Sequence, residues 1–446
     1  MSENILEVIG NANLKPKELK ELLLAMNRVD IADIFEHIDN TEKIVQIFKL
    51  LPKDMAAAVF SYLEPDKQHI MISALTDIEI KRIVDDLFLD DAVDFLEEMP
   101  ANVVKKVLEN TSRNTRETIN ELLKYPENSA GSIMTPEYID LKQAMTIAQS
   151  IERIRKIGSD RETLDTSYVM NSHRVLDGVV SIRTLLLSND DDILENVMTT
   201  NPLFVKTTDD REYASSLFMK YDLTALPVVD NESRLVGIIT IDDIVDVIQE
   251  ENTEDFEIMA AMSPSEKPYL KTSFFKLAGN RVPWLLFLML SAAITGQIID
   301  SFEEQLASQM ALLAFMPMLM STGGNAGSQS ATLIIRGMAL NEIKISNFFL
   351  IVIKECSVAL LAGTFLAIIN FFRILLFNGE ALIALTVSLS IIFTVLMANI
   401  IGGILPLFAK FIKVDPALMA APLISTICDA LSLMVFFNIA RVLLSA

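Results

Sequence analysis

Asp429 is the residue whose placement points most directly to chemistry. It is the only acid in the apolar run from Ala417 to Ala440. A charged side chain at membrane depth costs roughly 2.5–3.5 kcal/mol on insertion scales, so such a residue usually faces a partner or a water-filled path. Ser425 precedes it by four residues, which places both side chains on one face of a helix. Oxygen ligands without a histidine or thiolate cluster suit a hard cation such as Mg²⁺.

Five apolar segments predict the membrane-spanning region that would hold Asp429. They lie near residues 282–299, 306–335, 348–372, 381–409 and 417–444, and each can reach the span of about 20 residues that a bilayer core needs. The second contains Pro317 and the run Gly323-Gly324-Asn325-Ala326-Gly327. We expect this run to be an irregular break that is packed in protein or lines a cavity. Close helix packing is an alternative role of the glycines, and the two roles are compatible.

Loop charges predict the orientation of these spans. Lysine and arginine concentrate before the first span and in the loops after the second and fourth, whereas the opposite loops are mainly acidic. By the positive-inside rule, residues 1–275 are expected in the cytoplasm and the C-terminus outside the cell (inner) membrane. The polar start of the chain, Met1-Ser2-Glu3-Asn4, has no signal-peptide pattern, which agrees with this orientation.

The net charge of −22 belongs entirely to the first 280 residues, which hold 29 basic and 51 acidic side chains. Such a surface argues against nucleic-acid binding, and bound divalent cations would relieve its self-repulsion. The two cysteines, Cys356 and Cys428, lie in apolar segments and indicate no disulfide framework.

Residues 1–130 are predicted to form an acidic, all-α superhelical domain. Apolar side chains recur three and four residues apart, as in Val84, Leu87, Phe88, Ala92 and Phe95. Short amphipathic stretches follow one another at a spacing of about 12 residues, which is typical of a small helical solenoid.

Residues 131–250 predict two copies of one α/β unit, at about 131–190 and 191–250. Each copy has a Met-Thr segment, two short strands around a glycine and a following helix. This order resembles a pair of cystathionine-β-synthase (CBS) domains, which sense small ligands such as adenine nucleotides. The family pattern Gly-hydrophobic-x-Ser/Thr-x-x-Asp matches Gly237, Thr240 and Asp243, whereas the first copy ends in Thr184. The resemblance therefore implies one nucleotide site, with ATP as its candidate ligand.

An acidic helix is predicted from Asp242 to Met262, ended by Ser263-Pro264. It carries eight acids and one amphipathic apolar face. We interpret residues 242–272 as a connector (plug) helix between the CBS pair and a five-helix transmembrane pore domain at 273–446.

The order of these parts, together with three membrane motifs, resembles the MgtE family of magnesium channels. The motifs are Pro317-x5-Gly-Gly-Asn-x-Gly-x-Gln-Ser-Ala-Thr332, Ala398-Asn399-x2-Gly402-x2-Leu-Pro406 and Asp415-Pro-Ala-x4-Pro422-x3-Thr426-x2-Asp429. The resemblance implies a multidomain homodimer in the lipid bilayer. Its pore would be lined by the second and fifth spans, and cytosolic Mg²⁺ would hold the channel closed.

The resemblance also implies roles for single residues. Asp429 would select hydrated Mg²⁺, with Ser425 beside it and Asp415 at the cytoplasmic mouth. Regulatory Mg²⁺ would be bound by acids of the helical domain, the last CBS helix and the connector, namely Asp90, Asp94, Asp243, Asp246, Glu251, Glu254 and Asp255. Ala421 stands where family members can carry Asn, so one pore oxygen is missing.

Two other functions compete with a Mg²⁺-gated channel. A secondary transporter coupled to H⁺ or Na⁺ would use Asp429 as a relay acid, although no obvious inverted repeat accompanies it. A membrane-anchored metal or nucleotide sensor would not need an acid within a span. An enzyme is not expected, because the sequence has no nucleophile–base pair and no phosphate-binding loop.

Overall fold

The computed structural model describes residues 16–38, 40–265, 269–303, 310–378, 380–419 and 421–444. The start of the chain and residues 306–309 of the second predicted span lie outside this range. The chain divides into two compact units, Met1–Ile248 and Gln249–Ala446. Each unit is described by itself below.

Short helices fill the first part of the first unit, as the sequence predicts. They are α1 (Pro16–Leu24), α2 (Arg28–Glu36), α3 (Thr41–Phe48), α4 (Lys53–Ser61), α5 (Pro65–Ala74), α6 (Asp77–Asp86), α7 (Leu89–Glu97), α8 (Ala101–Asn110) and α9 (Arg113–Leu122). Their starts are specified locally: Asn40 accepts from the Lys43 N–H at 3.1 Å, and Thr76 forms a capping box with Glu79.

These helices pack mainly on their next-but-one neighbours along the chain, for example α4 on α6 and α6 on α8. This repeated packing buries one apolar stripe per helix in a shared core. Within that core, the rings of Phe60 and Phe95 meet edge to face at 5.1 Å between centroids.

Two small sheets with the same plan follow, which confirms the predicted CBS fold. The first sheet contains β1 (Asp140–Lys142), β2 (Thr166–Met170), β3 (Leu176–Ser181) and β4 (Thr199–Thr200), in that order. The second contains β5 (Val205–Lys206), β6 (Ala225–Val229) and β7 (Leu235–Thr240). In each, a parallel pair precedes an antiparallel hairpin. The helices between and beside the strands are α10 (Ile147–Ile157), α11 (Ile182–Leu187), α12 (Leu194–Val197) and α13 (Arg211–Tyr221).

The repeated Met-Thr segments cross between the two copies. Thr135 of the first copy exchanges both backbone hydrogen bonds, at 2.8 Å, with Ile238 of the second. Gly237 permits this crossing, because a side chain there would meet Met134 Sδ at 2.7 Å. Thr199 of β4 pairs with the β3 strand of the first copy in the same way.

Helix α14 (Ile241–Met259) continues from β7 and ends in the second unit. Its end comes three residues before the predicted one, because Ala261 adopts a left-handed conformation with φ of 53°. The helix is acidic along its whole length, as predicted.

The second unit consists of α15 (Phe274–Ser301), α16 (Met316–Ala339), α17 (Phe348–Asn378), α18 (Ala381–Phe411) and α19 (Ala421–Leu444). Among the described residues, four segments are long and apolar enough to cross a membrane: Phe274–Ser301, Ile345–Phe377, Ala381–Phe411 and Pro416–Leu444. Helix α16 is not one of them, because glycine, serine, threonine, asparagine and glutamine interrupt its apolar residues. Five spans therefore stay a prediction.

The expected irregular break in α16 was wrong, because the helix is continuous from Met316 to Ala339. Pro317 lies in its first turn, where a missing N–H costs nothing. The glycines serve close helix packing, the alternative that the sequence left open. A side chain at Gly327 would lie 2.8 Å from Cys428 Sγ, and one at Gly402 would overlap the Gly327 carbonyl. Small residues at such contacts are the usual device for packing helices in membranes.

Candidate functional site

Asp429 lies in a cavity of about 630 Å³ between α16 and α19. The carboxyl group is half-buried, like Ser425 one turn before it. The remaining lining comes from the first half of α16 and the turn before it: Leu313, Met316, Pro317, Met320, Ser321, Gly324 and Asn325. The cavity thus combines one acid and several neutral oxygens with an apolar wall.

Hydroxyl groups connect α16 and α19, the two helices that line the cavity, in the two turns of α19 before Asp429. The Oγ atoms of Ser328 and Ser425 are 3.4 Å apart, and Ser328 also donates to the Ala421 carbonyl at 3.5 Å. Pro422 lies in the first turn of α19, and the Thr426 hydroxyl donates to its carbonyl at 2.9 Å.

Two glycines of α16 allow this helix to pack closely against the part of α19 that carries Asp429. A side chain at Gly324 would lie 3.2 Å from Ser425 Oγ, and one at Gly323 would overlap Ser432 Oγ. Because neither glycine carries a side chain, α16 approaches the turn of α19 that bears Asp429.

A second group of oxygens lies within the first unit, where the helical repeats meet the first CBS copy. Asp90, Glu137 and Glu162 each offer a carboxylate oxygen, and these atoms lie within 4.8 Å of one another. Asp90 Oδ1 and Glu162 Oε2 are buried without a hydrogen-bond partner among the described residues. Glu137 accepts the Leu89 N–H at 3.0 Å, which holds the two parts together at this point.

Without a bound cation, ionising the carboxyl groups of this cluster is energetically unfavourable. Burial, followed by the charges of Asp243 and Glu162, raises the pKa of Asp90 well above its usual value. Burial and the charges of Asp242 and Asp243 raise the pKa of Glu162 to about 8. Asp91 and Asp243 have pKa values raised to about 6, again mainly by burial. Oxygen-only ligands under mutual repulsion suit a divalent hard cation.

Among the predicted regulatory acids of this unit, Asp90 and Asp243 therefore belong to one acidic cluster. Asp246 contributes its charge to that cluster by raising the pKa of Asp243. Asp94 lies one turn after Asp90 on α7 and is exposed, outside the group of three. Two residues of the predicted nucleotide motif are neighbours, because the Thr240 hydroxyl donates to Asp243 Oδ2 at 2.7 Å.

A third acidic group lies in the second unit, at the end of α14. Burial, followed by the charge of Asp415 and then those of Glu251 and Glu254, raises the pKa of Asp255 to about 6. Asp415 also accepts the Ala417 N–H at 2.8 Å, which orders the turn before α19. One turn beyond Asp255, Met259 packs against a cluster of buried residues from α16, α18 and α19.

Family models match three parts of the chain. Residues 316–439 match MgtE, described as a divalent cation transporter, residues 12–128 match the MgtE intracellular N domain, and residues 194–250 match a CBS domain. The magnesium transporter MgtE of Thermus thermophilus is 34% identical over 434 residues, which cover 96% of each chain. The chain belongs to the MgtE family.

Two further MgtE proteins extend the comparison. The magnesium transporter MgtE of Bacillus subtilis is 28% identical over 426 residues, covering 96% of this chain and 94% of that one. A crystal structure of the cytosolic domain of the Mg²⁺ channel MgtE, in complex with ATP, covers 55% of this chain at 31% identity and a TM-score of 0.52. The fold of residues ahead of the membrane region is thus that of MgtE cytosolic domains.

Sequence reasoning missed three members of the acidic cluster in this MgtE chain: Asp91, Glu137 and Glu162. Glu137 and Glu162 are far from Asp90 in sequence, and no spacing pattern connects them. One signal was available, because Glu137 directly follows Met134-Thr135-Pro136, which contains the first of the two repeated Met-Thr segments.

Proposed function

We propose that this magnesium transporter is a passive, Mg²⁺-selective channel that cytosolic Mg²⁺ closes. The observation that carries the proposal is the half-buried carboxylate of Asp429 in a cavity between two helices of the membrane region. Hydrated Mg²⁺ holds six waters, which need about 180 Å³ at roughly 30 Å³ each. A cavity of about 630 Å³ has room for the ion with its water shell.

A homodimer would complete this permeation site. One carboxylate cannot neutralise a divalent ion, whereas two copies related by a twofold axis would bring two Asp429 side chains together. In this arrangement α16, the second span in chain order, would also cross the membrane and bring the number of spans to five. Its polar residues would be tolerated because it would face the water-filled path rather than lipid. The loop charges support an orientation with residues 1–275 in the cytoplasm and the C-terminus outside.

Permeation and Mg²⁺ sensing would belong to different domains. Residues 273–446 would form the pore, 242–272 the connector, and 1–130 with 131–250 the sensor. Regulatory Mg²⁺ would bind the cluster of Asp90, Glu137 and Glu162 and the connector acids Glu251, Glu254 and Asp255. Asp94, Asp243, Asp246 and Asp415 would add charge or further ligands. Divalent binding then favours the closed arrangement by its higher affinity for it.

Adenine nucleotide binding is a second proposal, supported by the ATP complex of the related cytosolic domain. Gly237, Thr240 and Asp243 would contact the ribose and phosphates. Because Asp243 also belongs to the acidic cluster, we expect ATP to bind as its Mg²⁺ complex. Isothermal titration calorimetry with ATP, in the presence and absence of Mg²⁺, tests whether ATP binds as its Mg²⁺ complex. The same titration of Thr240→Ala tests whether Thr240 belongs to the nucleotide site.

Mg²⁺ uptake into liposomes that contain the purified protein tests the channel. We expect downhill uptake without a proton or sodium gradient, reduced at least about 100-fold in Asp429→Asn, because the variant loses the charge that replaces the ion's outer hydration. Asp300→Asn, which removes an acid that does not line the cavity, serves as the control and should keep wild-type uptake.

Other outcomes would point to the competing functions. Uptake that requires a proton or sodium gradient would establish a coupled transporter. If wild-type liposomes at low internal Mg²⁺ took up nothing, the protein would be a membrane-anchored sensor. Equal uptake by wild type and Asp429→Asn would move the permeation site elsewhere.

A further inference from the structure

Residues 260–265 form a tight corner between the connector helix α14 and the first predicted span, α15. Helix α14 ends at Met259, and Ala261 then turns the chain with φ of 53°. An alanine adopts this left-handed conformation only at a cost in free energy, so the surrounding contacts must hold the turn. The Met262 N–H closes it by donating to the Glu257 carbonyl at 2.9 Å.

The last three residues of the corner, 263–265, form an exit segment that is bonded to α15 on one side. The Ser263 N–H donates to the Asn280 carbonyl at 3.1 Å. The Asn280 side chain returns the contact, because its Nδ2 donates to the Pro264 carbonyl at 3.4 Å. Asn280 therefore holds two successive residues of the exit segment.

Pro283 explains why a carbonyl inside α15 is open to the exit segment. It lies within the helix and offers no N–H to the carbonyl of Gly279, one turn before it. The proline ring also crowds that carbonyl and opens the turn. Asn280 belongs to the opened turn, so its carbonyl can accept the Ser263 N–H from outside the helix.

The other side of the exit segment is bonded to α14. Glu257 Oε2 accepts the Ser265 N–H at 2.7 Å. A hydrogen bond to a carboxylate is charge-assisted and about twice as strong as a neutral one. Together with the two contacts of Asn280, this bond fastens the end of α14 to the start of α15 through one short segment.

Helix α15 in turn contacts the helix that carries Asp429. It packs on α19, and directly after its last residue the Phe302 ring stacks on the Phe437 ring with 4.8 Å between centroids. A movement of the connector that the corner passes to α15 therefore acts on α19.

We propose that Glu257 and Asn280 are positioning residues that couple the connector to the pore by holding this corner. The inference rests on the proposed Mg²⁺-dependent closure and names the joint that transmits it. Glu257 acts as a hydrogen-bond acceptor for the backbone, not as a ligand of the regulatory cation. Asn280 keeps the exit segment on α15, so that a displacement of α14 upon Mg²⁺ binding moves α15 with it.

The proposal predicts that Mg²⁺ binding and pore closure separate when the two side chains are removed. Glu257→Ala combined with Asn280→Ala eliminates two of the three hydrogen bonds of the exit segment and leaves the other connector acids in place. One hydrogen bond changes a balance between two states about fivefold. Closure therefore weakens, whereas the cation still binds.

The experiment measures uptake into liposomes of the full-length protein at low and at saturating Mg²⁺ on the connector side. We expect the ratio of these two rates to fall at least about fivefold in the double variant. Isothermal titration calorimetry with Mg²⁺ should give a binding midpoint within about twofold of wild type, since the remaining acids are unchanged. If the double variant does not fold, Glu257→Ala and Asn280→Ala decide singly, each with a ratio at least about threefold lower.

Glu257→Gln distinguishes the acceptor from a metal ligand. It keeps a side-chain oxygen for the Ser265 N–H and loses the charge, so its uptake ratio should stay within about twofold of wild type. Gln249→Ala on α14 and Gln297→Ala on α15 are matched controls, because each removes an exposed amide from one of the two joined helices. Neither should change the ratio.

The outcomes separate this inference from the proposed function. If wild-type protein is not closed by Mg²⁺, the gating proposal fails and the role of the corner fails with it. If wild type closes but the double variant has the wild-type ratio, only the corner is overturned, even where the variant unfolds at a lower temperature. Equal losses of ratio and of Mg²⁺ binding in Glu257→Gln and Glu257→Ala would also overturn it, because Glu257 would then be a metal ligand.

Discussion

At the scale of single residues, Glu162 shows how burial and repulsion prepare a cation site. Its pKa is raised to about 8, first by burial and then by Asp242 and Asp243. The folded state therefore binds a proton that the unfolded state releases above pH 4.5. In metal-free protein this group stabilises folding least at high pH, and the loss develops between about pH 4.5 and 8.

This linkage predicts that the unfolding temperature of EDTA-treated protein falls by a few degrees between pH 5.5 and 8. Removing one titrating acid should weaken the slope, so Glu162→Gln is expected to flatten it. Glu152→Gln, on the exposed side of α10, should keep it. Mg²⁺ should oppose the fall at pH 8, because a cation replaces the lost proton. A scan of thermal unfolding against pH checks this, and an identical slope in Glu162→Gln would refute the assignment.

The residues themselves pointed to Asp429, which is the only acid of an apolar run. Asp243 was predicted through the motif that resembles CBS domains, and Asp90 only through the resemblance to the MgtE family. Glu137 and Glu162 carry no such pattern. They reach Asp90 only because the helical repeats end beside the first CBS copy, and that meeting depends on tertiary packing.

At the scale of elements, α16, which lines the Asp429 cavity, is held by close packing against α18 and α19. The sequence suggested that the glycine run breaks the helix, since glycine disfavours helices in water. Surrounded by neighbouring helices, the run stays helical and lets their backbones approach. The short helices of residues 1–130 were predictable from the spacing of their apolar residues. Close packing was one of the roles that the sequence allowed for the glycine run, but the neighbours against which it packs required the structure.

Gly402 and Gly296 test this packing as a matched pair. A side chain at Gly402 would overlap the Gly327 carbonyl, while one at Gly296 of α15 meets no described atom within 4 Å. We expect Gly402→Ala to lose about 1–3 kcal/mol of stability through overpacking and to lose most Mg²⁺ uptake. Gly296→Ala should change neither. Thermal unfolding in detergent, followed by uptake in liposomes, checks this, and equal behaviour of the two variants would contradict it.

At the scale of the whole molecule, the net charge of −22 sits almost wholly ahead of the membrane region. Like charges favour an expanded arrangement, and only a ligand with higher affinity for the compact arrangement can reverse the preference. In the proposed function, the acidic groups around Asp90 and Asp255 are the sites at which Mg²⁺ acts as this ligand. Their occupation by Mg²⁺ should then be visible as a global change in the connector.

We expect millimolar Mg²⁺ to protect the segment after α14 from trypsin in full-length protein, where Lys271 offers a cleavage site. NaCl at the same ionic strength should protect much less, since screening weakens repulsion without bridging carboxylates. Glu162→Gln and Asp255→Asn should each need several-fold more Mg²⁺ for half-protection, because each loses one anionic ligand. Asp300→Asn should behave as wild type. Gel densitometry of the fragments gives these midpoints. Cleavage that ignores Mg²⁺, or that NaCl suppresses equally, would exclude a cation-bridged closed state and leave only charge screening.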